Sequence, residues 1–272
     1  KKKLFLRIAP ETYLKRLIAG GYEKIYEIGK SFRNEGIDAS HLQEFTTMEF
    51  YAAYWNYENA LQLVLKIFNN IFEKLNIKEK IVYQGQEINI GHVWERTTYA
   101  DLFFKYTNID LKQLLKKNLK QMKEELSDLI DVSSYNSVAS LIDAVYKKKC
   151  RINLIDPIII THQPSVLGPL ARENDEDNMF SDRFQIVING WEVVNAYSEL
   201  VDPVQQRKVL LQQQQVKNDG EDEVMEMEED FLEAMEYGMP PIAGLGLGID
   251  RIVALFSDSK NLRDIVFFPN IK

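Results

Sequence analysis

Residues 183–200 read RFQIVINGWEVVNAYSEL, and this stretch decides the fold class. Two runs rich in β-branched and aromatic residues flank Asn189-Gly190, the dipeptide that most strongly favours a two-residue hairpin turn. The stretch therefore predicts two antiparallel strands, Arg183–Ile188 and Glu192–Leu200. Hairpins of this kind belong to antiparallel sheets, because parallel neighbours need long crossover connections.

Similar patterns occur on both sides of this hairpin. Lys24–Arg33 and Phe45–Tyr54 predict a second hairpin with a long polar loop, and Ala243–Arg251 predicts a glycine-rich strand that runs into a helix. Helical periodicity is clearest in Glu58–Leu75, where apolar residues recur every three or four positions. The predicted class is therefore α+β, an antiparallel sheet with helices packed against it.

The length of 272 residues predicts one large domain, residues 1–272. A Lys- and Leu-rich helical stretch at about residues 107–150 is predicted to be a small helical insertion within it. Near the beginning, the short apolar run Leu4–Ile8 predicts a further strand, and Glu11–Ala19 predicts a helix that ends at a glycine pair.

Composition and charge exclude several classes of protein. A net charge of −8 argues against a general nucleic-acid binder, although a local basic patch stays compatible with it. The single cysteine, Cys150, cannot form an internal disulfide, which fits a reducing compartment. No apolar run is long enough to span a bilayer, and the first residues lack the apolar stretch of a signal peptide. We therefore expect a cytoplasmic protein, with an organelle as the alternative.

The strand that begins at Phe45 carries the first candidate site. Residues two apart on a strand share a face, so Glu49 and Tyr51 lie on the same side as Phe45. A glutamate on the interior of a sheet is costly unless it is paired, and a cationic ligand would supply the pair. The alternative is an exposed face with a structural Glu–Lys bridge, which periodicity alone favours.

The strand after the Asn-Gly turn carries a second site. Asn195, Tyr197 and Glu199 share one face, whereas Glu192 is out of phase and needs a β-bulge or a twist of the strand to join them. Carboxylates that alternate with Tyr and Asn suit a cationic or metal-bound ligand. A solvated strand accounts for the spacing equally well.

The third candidate is Gly244-Leu-Gly-Leu-Gly-Ile-Asp-Arg251. Glycines at every second position leave one strand face bare for close approach, and Arg251 at the start of a helix suits an anion such as phosphate. A plain packing role is the alternative. His92 and His162 are isolated and are expected to be structural, and no His/Cys cluster predicts a zinc site.

Together these stretches resemble the class II aminoacyl-tRNA synthetases. Phe32-Arg-Asn-Glu-Gly36 through Phe45 resembles class motif 2, and Gly244 through Arg251 resembles motif 3. The runs similar to the lysine-specific branch are Leu6–Glu11, Glu44–Tyr51, Pro169–Arg172 and Asn195–Leu200. The resemblance covers nearly the whole chain, with its weakest fit at 110–149.

The resemblance implies an enzyme that activates L-lysine with ATP and Mg²⁺ and transfers it to tRNA(Lys). Arg33 and Arg251 would be the catalytic residues. The residues that would bind ATP are Arg33, Glu35, His41, Phe45, Glu192 and Arg251. Lysine would be bound by Glu11, Glu49, Tyr51, Asn195, Tyr197 and Glu199. Glu192 would also hold the magnesium ion.

Three departures from the family pattern qualify this expectation. Gln185 stands where a second magnesium-binding glutamate is expected, which predicts weaker or fewer metal ions, and Gln43 replaces a proline before Glu44. The chain also begins after the positions of the anticodon-binding domain and motif 1. We expect a homodimer for the full-length protein, with the chain being either a truncated core or a natural stand-alone relative. The alternative functions are transfer of lysine to a protein and an inactive regulatory or binding domain.

Overall fold

A computed structural model describes residues 4–34, 39–91, 93–218 and 228–269, and of residues 213–218 only the backbone. The strands are β1 (Lys24–Phe32), β2 (Glu44–Ala53), β3 (Lys80–Tyr83), β4 (Gln86–Asn89), β5 (Glu95–Thr98), β6 (Ile158–Thr161), β7 (Arg183–Ile188), β8 (Trp191–Ser198) and β9 (Ile242–Gly248). The helices are α1 (Glu11–Ala19), α2 (Tyr57–Lys74), α3 (Tyr99–Thr107), α4 (Leu111–Leu114), α5 (Leu119–Leu126), α6 (Val138–Val145), α7 (Pro203–Asn218), α8 (Glu229–Gly238) and α9 (Ile249–Phe256). None of these helices is both long and apolar enough to cross a bilayer.

The predicted antiparallel sheet is confirmed. Seven strands pair in the order β1-β2-β9-β8-β7-β6-β5, and all neighbours are antiparallel except β5 and β6. The turn between β7 and β8 has positive φ at both Asn189 (48°) and Gly190 (71°), the backbone that the Asn-Gly pair favours. The glycine-rich β9 lies between β2 and β8, so the three sequence stretches with candidate sites become neighbours.

Alternation along these central strands separates two faces. On β9, Ala243, Leu245 and Leu247 are buried in the main core, and the glycines between them point the other way. Helix α2 covers this core face with its own apolar stripe, which contains Val64 and Phe68. The opposite face of β2, β9 and β8 is thereby left for polar chemistry.

Helix α1 closes one end of that polar face. Leu14 and Ile18 of α1 pack against Tyr51 of β2 and Ile242 of β9. Helix α8 lies against α1 in turn. This apolar contact anchors α1. The polar side chains on the turn of α1 that lies next to the polar face are therefore held at the edge of the sheet.

The stretch at 107–150 is helical, as predicted. Its helices bury Leu114, Met122 and Leu141 in a second core, which also contains Ile158 and Val187 from the sheet. The segment therefore packs onto β6 and β7 rather than forming a separate body. That it is an insertion relative to other members of a family stays a prediction.

The predicted strand Leu4–Ile8 is wrong. This run has no regular ladder, and Leu4 and Leu6 are largely exposed. The Arg7 carbonyl accepts one backbone hydrogen bond from Phe32 at 2.9 Å, and the Arg7 Nε donates to the Lys30 carbonyl at 3.0 Å. The segment thus runs beside β1 with isolated contacts, because its apolar side chains find no buried face to pack against.

Candidate active site

A cavity of about 240 Å³ lies on the polar face of the sheet. Strands β2, β8 and β9 form its floor, and α1 and α9 contribute to its walls. The predicted site residues that line it are Glu11, Arg33, His41, Phe45, Glu49, Tyr51, Glu192, Asn195, Tyr197, Glu199 and Arg251. Glu35 lies outside the described residues, and Gln185 does not line the cavity. The three polar stretches of the sequence therefore form one site.

The glycines of β9 make room for this site. Gly244 pairs with Tyr51 on one side and with Tyr197 on the other, so a strand without side chains separates two strands that carry large ones. A Cβ added at Gly244 would overlap the Glu199 Oε1 and would lie 2.5 Å from the Tyr51 Cε1. At Gly246 the nearest atom to an added Cβ is 3.8 Å away. The bare strand face is thus required at Gly244 in particular.

A β-bulge brings Glu192 into the site, as the strand phase predicted. Ile186 pairs with Val194, but the next residue of β7, Val187, pairs with Glu192, so Val193 is an extra residue. The Gln185 Nε2 donates a hydrogen bond of 2.5 Å to the Glu192 Oε2. The Gln185 Oε1 is buried and has no hydrogen-bond partner within the described ranges.

One end of the cavity is acidic. Glu49 is 9% exposed, so the alternative of an exposed face with a Glu–Lys bridge is wrong at this position. The Tyr51 hydroxyl donates to the Glu49 Oε2 at 2.9 Å, and the Tyr197 hydroxyl donates to the Glu11 Oε1 at 2.6 Å. Glu199 is buried, and its Oε1 lacks a hydrogen-bond partner in the described part of the chain.

Burial controls the protonation of these carboxylates. It raises the pKa of Glu49 to about 7, helped by the negative charge of Glu11 and opposed by the hydrogen bond from Tyr51. Burial also raises the pKa of Glu199 well above its usual range, and the charge of Lys15 opposes that effect. Both groups would be fully ionised only with additional positive charge beside them, so the acidic end is suited to a cationic ligand.

Two buried cations beneath the acidic end escaped the sequence analysis. The Lys15 Nζ lies 2.6 Å from the Glu11 Oε1 and forms an ion pair with Glu199. The Arg183 Nε donates to the Asn195 Oδ1 at 2.9 Å. A signal existed for Lys15, because it is four residues after Glu11 and therefore on the same side of α1.

The other end of the cavity carries basic groups. The Arg33 guanidinium lies 5.1 Å from the centre of the Phe45 ring, and the His41 Nδ1 is 3.1 Å from the Ser40 Oγ. The Arg251 Nη1 donates to the Glu192 carbonyl at 2.8 Å. Arginine at a helix N-terminus beside bare glycines is an arrangement suited to phosphate groups.

Asp250 joins the two motif-bearing elements. Its Oδ2 accepts a hydrogen bond of 2.7 Å from the Thr46 backbone N–H, which connects α9 to β2. Of the isolated histidines, His162 lies 3.4 Å from the Tyr57 hydroxyl, and His92 is outside the described residues. Within the residues that the structure describes, no group of three or more His, Cys, Asp or Glu side chains could hold a metal ion.

The seven-stranded sheet thus carries a cavity with carboxylates at one end and arginines at the other. The family of class II tRNA synthetases (D, K and N) matches residues 1–272. The chain therefore belongs to this family, and the resemblance seen in its sequence is confirmed.

Individual relatives carry a more specific name. A lysine–tRNA ligase of Campylobacter jejuni is 41% identical over 268 residues, which cover 98% of this chain and 53% of that protein. Lysine–tRNA ligases of Aquifex aeolicus and Leuconostoc citreum are each 41% identical, over 99% of this chain and over 45% and 54% of their own lengths. The chain thus spans about half the length of the curated relatives it matches.

Proposed function

We propose that this chain activates L-lysine with ATP to form lysyl-adenylate, for transfer to tRNA(Lys). The observation that carries the proposal is a single cavity with three carboxylates at one end and arginines at the other. The names of the relatives favour tRNA over a protein as the acceptor. The homodimer stays a prediction, and we expect the reaction in the cytoplasm, where ATP and tRNA are present.

The acidic end suits the two ammonium groups of lysine. Glu49, Tyr51 and Glu199 would surround the ε-ammonium, and Glu11 would bind the α-ammonium. An amino acid with an uncharged side chain would leave Glu49 and Glu199 without a cationic ligand group, which costs more than the net strength of an ordinary hydrogen bond. Selectivity for lysine would therefore have two causes: the attraction between the carboxylates and the ammonium groups, and the cost of leaving buried carboxylates without a cationic partner.

The basic end suits ATP. Phe45 would stack on the adenine, and Arg251 would lie on its other face, while His41 and Arg251 contact the outer phosphates. The lysine carboxylate would attack the α-phosphorus in line, the bond to the β-phosphate oxygen would break, and pyrophosphate would leave. Arg33 would hold the α-phosphate and the attacking carboxylate, and stabilise the charge that develops between them. No protein nucleophile is required, because positioning and charge stabilisation suffice.

Glu192 fits the magnesium ion that the family implies, and Gln185 would act on that ion through its hydrogen bond to Glu192. Magnesium in nucleotide sites is bound by one or two carboxylates together with substrate phosphates, rather than by a complete protein cage. The Glu192 carboxylate lines the cavity, whereas Gln185 does not line it and donates a hydrogen bond to Glu192 through its Nε2. Bound there, magnesium would neutralise phosphate charge.

Gln185→Glu should raise the affinity of the site for magnesium. The change replaces a neutral amide 2.5 Å from Glu192 with a second carboxylate, so without a cation the two would repel each other. We expect the magnesium concentration for half-maximal pyrophosphate exchange to fall by roughly threefold or more. Thermal unfolding with and without a chelator gives an independent readout, and an unchanged magnesium response in both assays would contradict the assignment.

The experiment that tests the proposed function is lysine-dependent exchange of labelled pyrophosphate into ATP. Other amino acids serve as controls, and magnesium is varied. Exchange with lysine alone would support adenylate formation. If none of the amino acids supports exchange at any magnesium concentration, adenylate formation is contradicted and a binding or regulatory role is favoured.

Lysine affinity should rise with pH through neutrality. Since the pKa of Glu49 is raised to about 7, its carboxylate is about one tenth ionised at pH 6 and about nine tenths ionised at pH 8. Only the ionised form pairs with an ammonium, so the dissociation constant for lysine should fall by up to about tenfold over this range. Calorimetric titration measures it.

The control for this pH dependence is Glu49→Gln. Its lysine affinity should be weaker than that of the wild type at pH 8, and the rise attributable to residue 49 should be absent. ATP titrated in parallel reports pH effects on the basic end. A wild-type lysine affinity that is flat from pH 6 to pH 8 would contradict the role of Glu49.

A further inference from the structure

Lys15 is the most deeply buried charged side chain near the cavity. It is 1% exposed, although long cationic side chains almost always reach water. It lies on α1 one turn after Glu11, and its Nζ contacts the carboxylates of Glu11 and Glu199. Lys15 does not line the cavity, whereas both of its partners do. Lys15 therefore contacts the carboxylates of the acidic end from the side that faces away from the cavity.

The surroundings of Lys15 are otherwise aromatic. Its Nζ is 5.9 Å from the ring centre of Tyr51, 5.6 Å from that of Tyr197 and 6.0 Å from that of Phe231 on α8. The faces of these rings attract a cation but do not neutralise its charge. Glu11 and Glu199 are thus its ionic partners, and removing it would leave buried carboxylates without compensation.

The charges at the acidic end can be counted. Glu11, Glu49 and Glu199 bring three negative charges when ionised, and Lys15, which is in ionic contact with two of them, removes one. Arg183 is left out of the count because its guanidinium donates to the neutral oxygens of Asn195 and Leu167. Two remain, which equals the two ammonium groups of lysine. The carboxylate of the ligand is matched separately by Arg33 at the other end. Without Lys15 the pocket would carry one negative charge more than the ligand can neutralise.

From this arrangement, and resting on the proposed function, we propose that Lys15 is a positioning residue that sets the charge of the lysine pocket. It holds Glu11 and Glu199 in place from outside the cavity, and it leaves two net negative charges for a ligand with two ammonium groups. Specificity for a diammonium amino acid therefore depends on a side chain that the ligand does not touch.

The protonation behaviour of the cluster agrees with this role. Burial alone lowers the pKa of Lys15, but the negative charges of Glu11 and Glu199 outweigh it and raise that pKa above its usual value, so Lys15 is charged. For Glu199 the largest effect is burial, which raises its pKa, and Lys15 is the main opposing charge. Loss of the Lys15 charge should therefore favour a proton that stays on the cluster in the lysine complex, because one protonated carboxylate then restores the count of two negative charges.

The test compares Lys15→Met with Lys15→Arg and with the control Lys112→Met, which breaks an exposed ion pair to Asp177. Pyrophosphate exchange gives the KM values for lysine and for ATP. We expect Lys15→Met to raise the lysine KM by about tenfold or more and to leave the ATP KM within about twofold. Lys15→Arg keeps the charge and should recover most of the lysine affinity. Lys112→Met should resemble the wild type.

A second readout is the number of protons released when lysine binds, from calorimetry at pH 7 in two buffers of different ionisation enthalpy. Lys15→Met should release fewer protons than the wild type, by up to about one, and Lys15→Arg should match the wild type. A merely structural role would lower the melting temperature without changing this number. If Lys15→Met does not fold, Lys15→Arg decides: it should raise only the lysine KM, by a few-fold, with unchanged proton release.

The outcomes separate the two proposals. If the wild type neither binds lysine nor supports exchange, the proposed function fails whatever Lys15 does. If the wild type binds lysine and Lys15→Met keeps its affinity and its proton release, only the role of Lys15 is overturned. Equal increases in the KM for lysine and for ATP would also overturn it, because they would indicate a general loss of structure.

Discussion

Replacing Glu199 with glutamine should raise the lysine KM about 100-fold, equivalent to about 2.7 kcal/mol, and change the ATP KM by less than about threefold. The side chain is 2% exposed, and its Oε1 has no hydrogen-bond partner among the described residues. An amide of the same shape removes the negative charge that a buried ammonium requires, while Phe45 and Arg251 at the basic end of the cavity are unaffected. Pyrophosphate exchange with varied lysine and varied ATP measures both constants.

The matched control for this change is Glu87→Gln. Glu87 pairs with Lys80 on the exposed hairpin of β3 and β4, so the same chemical change there should leave both KM values unaltered. Discrimination against uncharged amino acids should also narrow in Glu199→Gln, because the penalty for leaving residue 199 unpaired is smaller. A matching loss of ATP affinity would contradict the assignment of Glu199 to the lysine end.

The parts of the site that could be predicted from sequence depend on local geometry. Alternation on a strand placed Glu49 and Tyr51 on the same face as Phe45, and the phase of Glu192 required a bulge. Both predictions are confirmed by the strand pairing and the cavity lining. Such predictions succeed because neighbours on one strand keep fixed relative directions whatever the rest of the fold does.

The parts that escaped prediction depend on contacts between distant segments. The sequence around Lys15 does not indicate that this side chain is buried, because Phe231 of α8, which lies against it, is more than two hundred residues away in sequence. Conversely, Leu4–Ile8 has the apolar character of a strand, but no buried face is available to it. The hydrophobicity of a segment indicates that its burial would be favourable, but it does not show whether the fold provides an apolar surface to cover that segment.

The same contrast explains why the glycines of β9 were ambiguous in the sequence. Alternate glycines could equally serve packing, since their spacing does not reveal what approaches the bare face. The structure distinguishes the positions: an added Cβ would collide with pocket side chains at Gly244 but meets only ordinary contact distances at Gly246 and Gly248. The requirement for glycine is therefore greatest at Gly244, beside the acidic end of the cavity.

Gly244→Ala should consequently reduce kcat/KM for lysine by about 100-fold or more, because the added methyl group would occupy the space of the Glu199 carboxylate and lie 2.5 Å from the Tyr51 ring. Neither side chain can withdraw freely. Glu199 is held by Lys15, and Tyr51 is packed against Leu14 and Ile18 of α1. Either the carboxylate or the ring must leave its position, and the ammonium of lysine loses a partner in both cases.

Gly91→Ala is the control for backbone effects, since a Cβ at Gly91 would meet no described atom within 4 Å. It should leave the lysine and ATP constants unchanged. For Gly244→Ala, lysine titration together with thermal unfolding separates pocket damage from loss of fold: a folded variant with normal ATP affinity and weakened lysine affinity is the expected result. Normal lysine affinity in that variant would mean that the pocket side chains can rearrange around the methyl group, and the position of Glu199 would then not determine recognition of the ammonium.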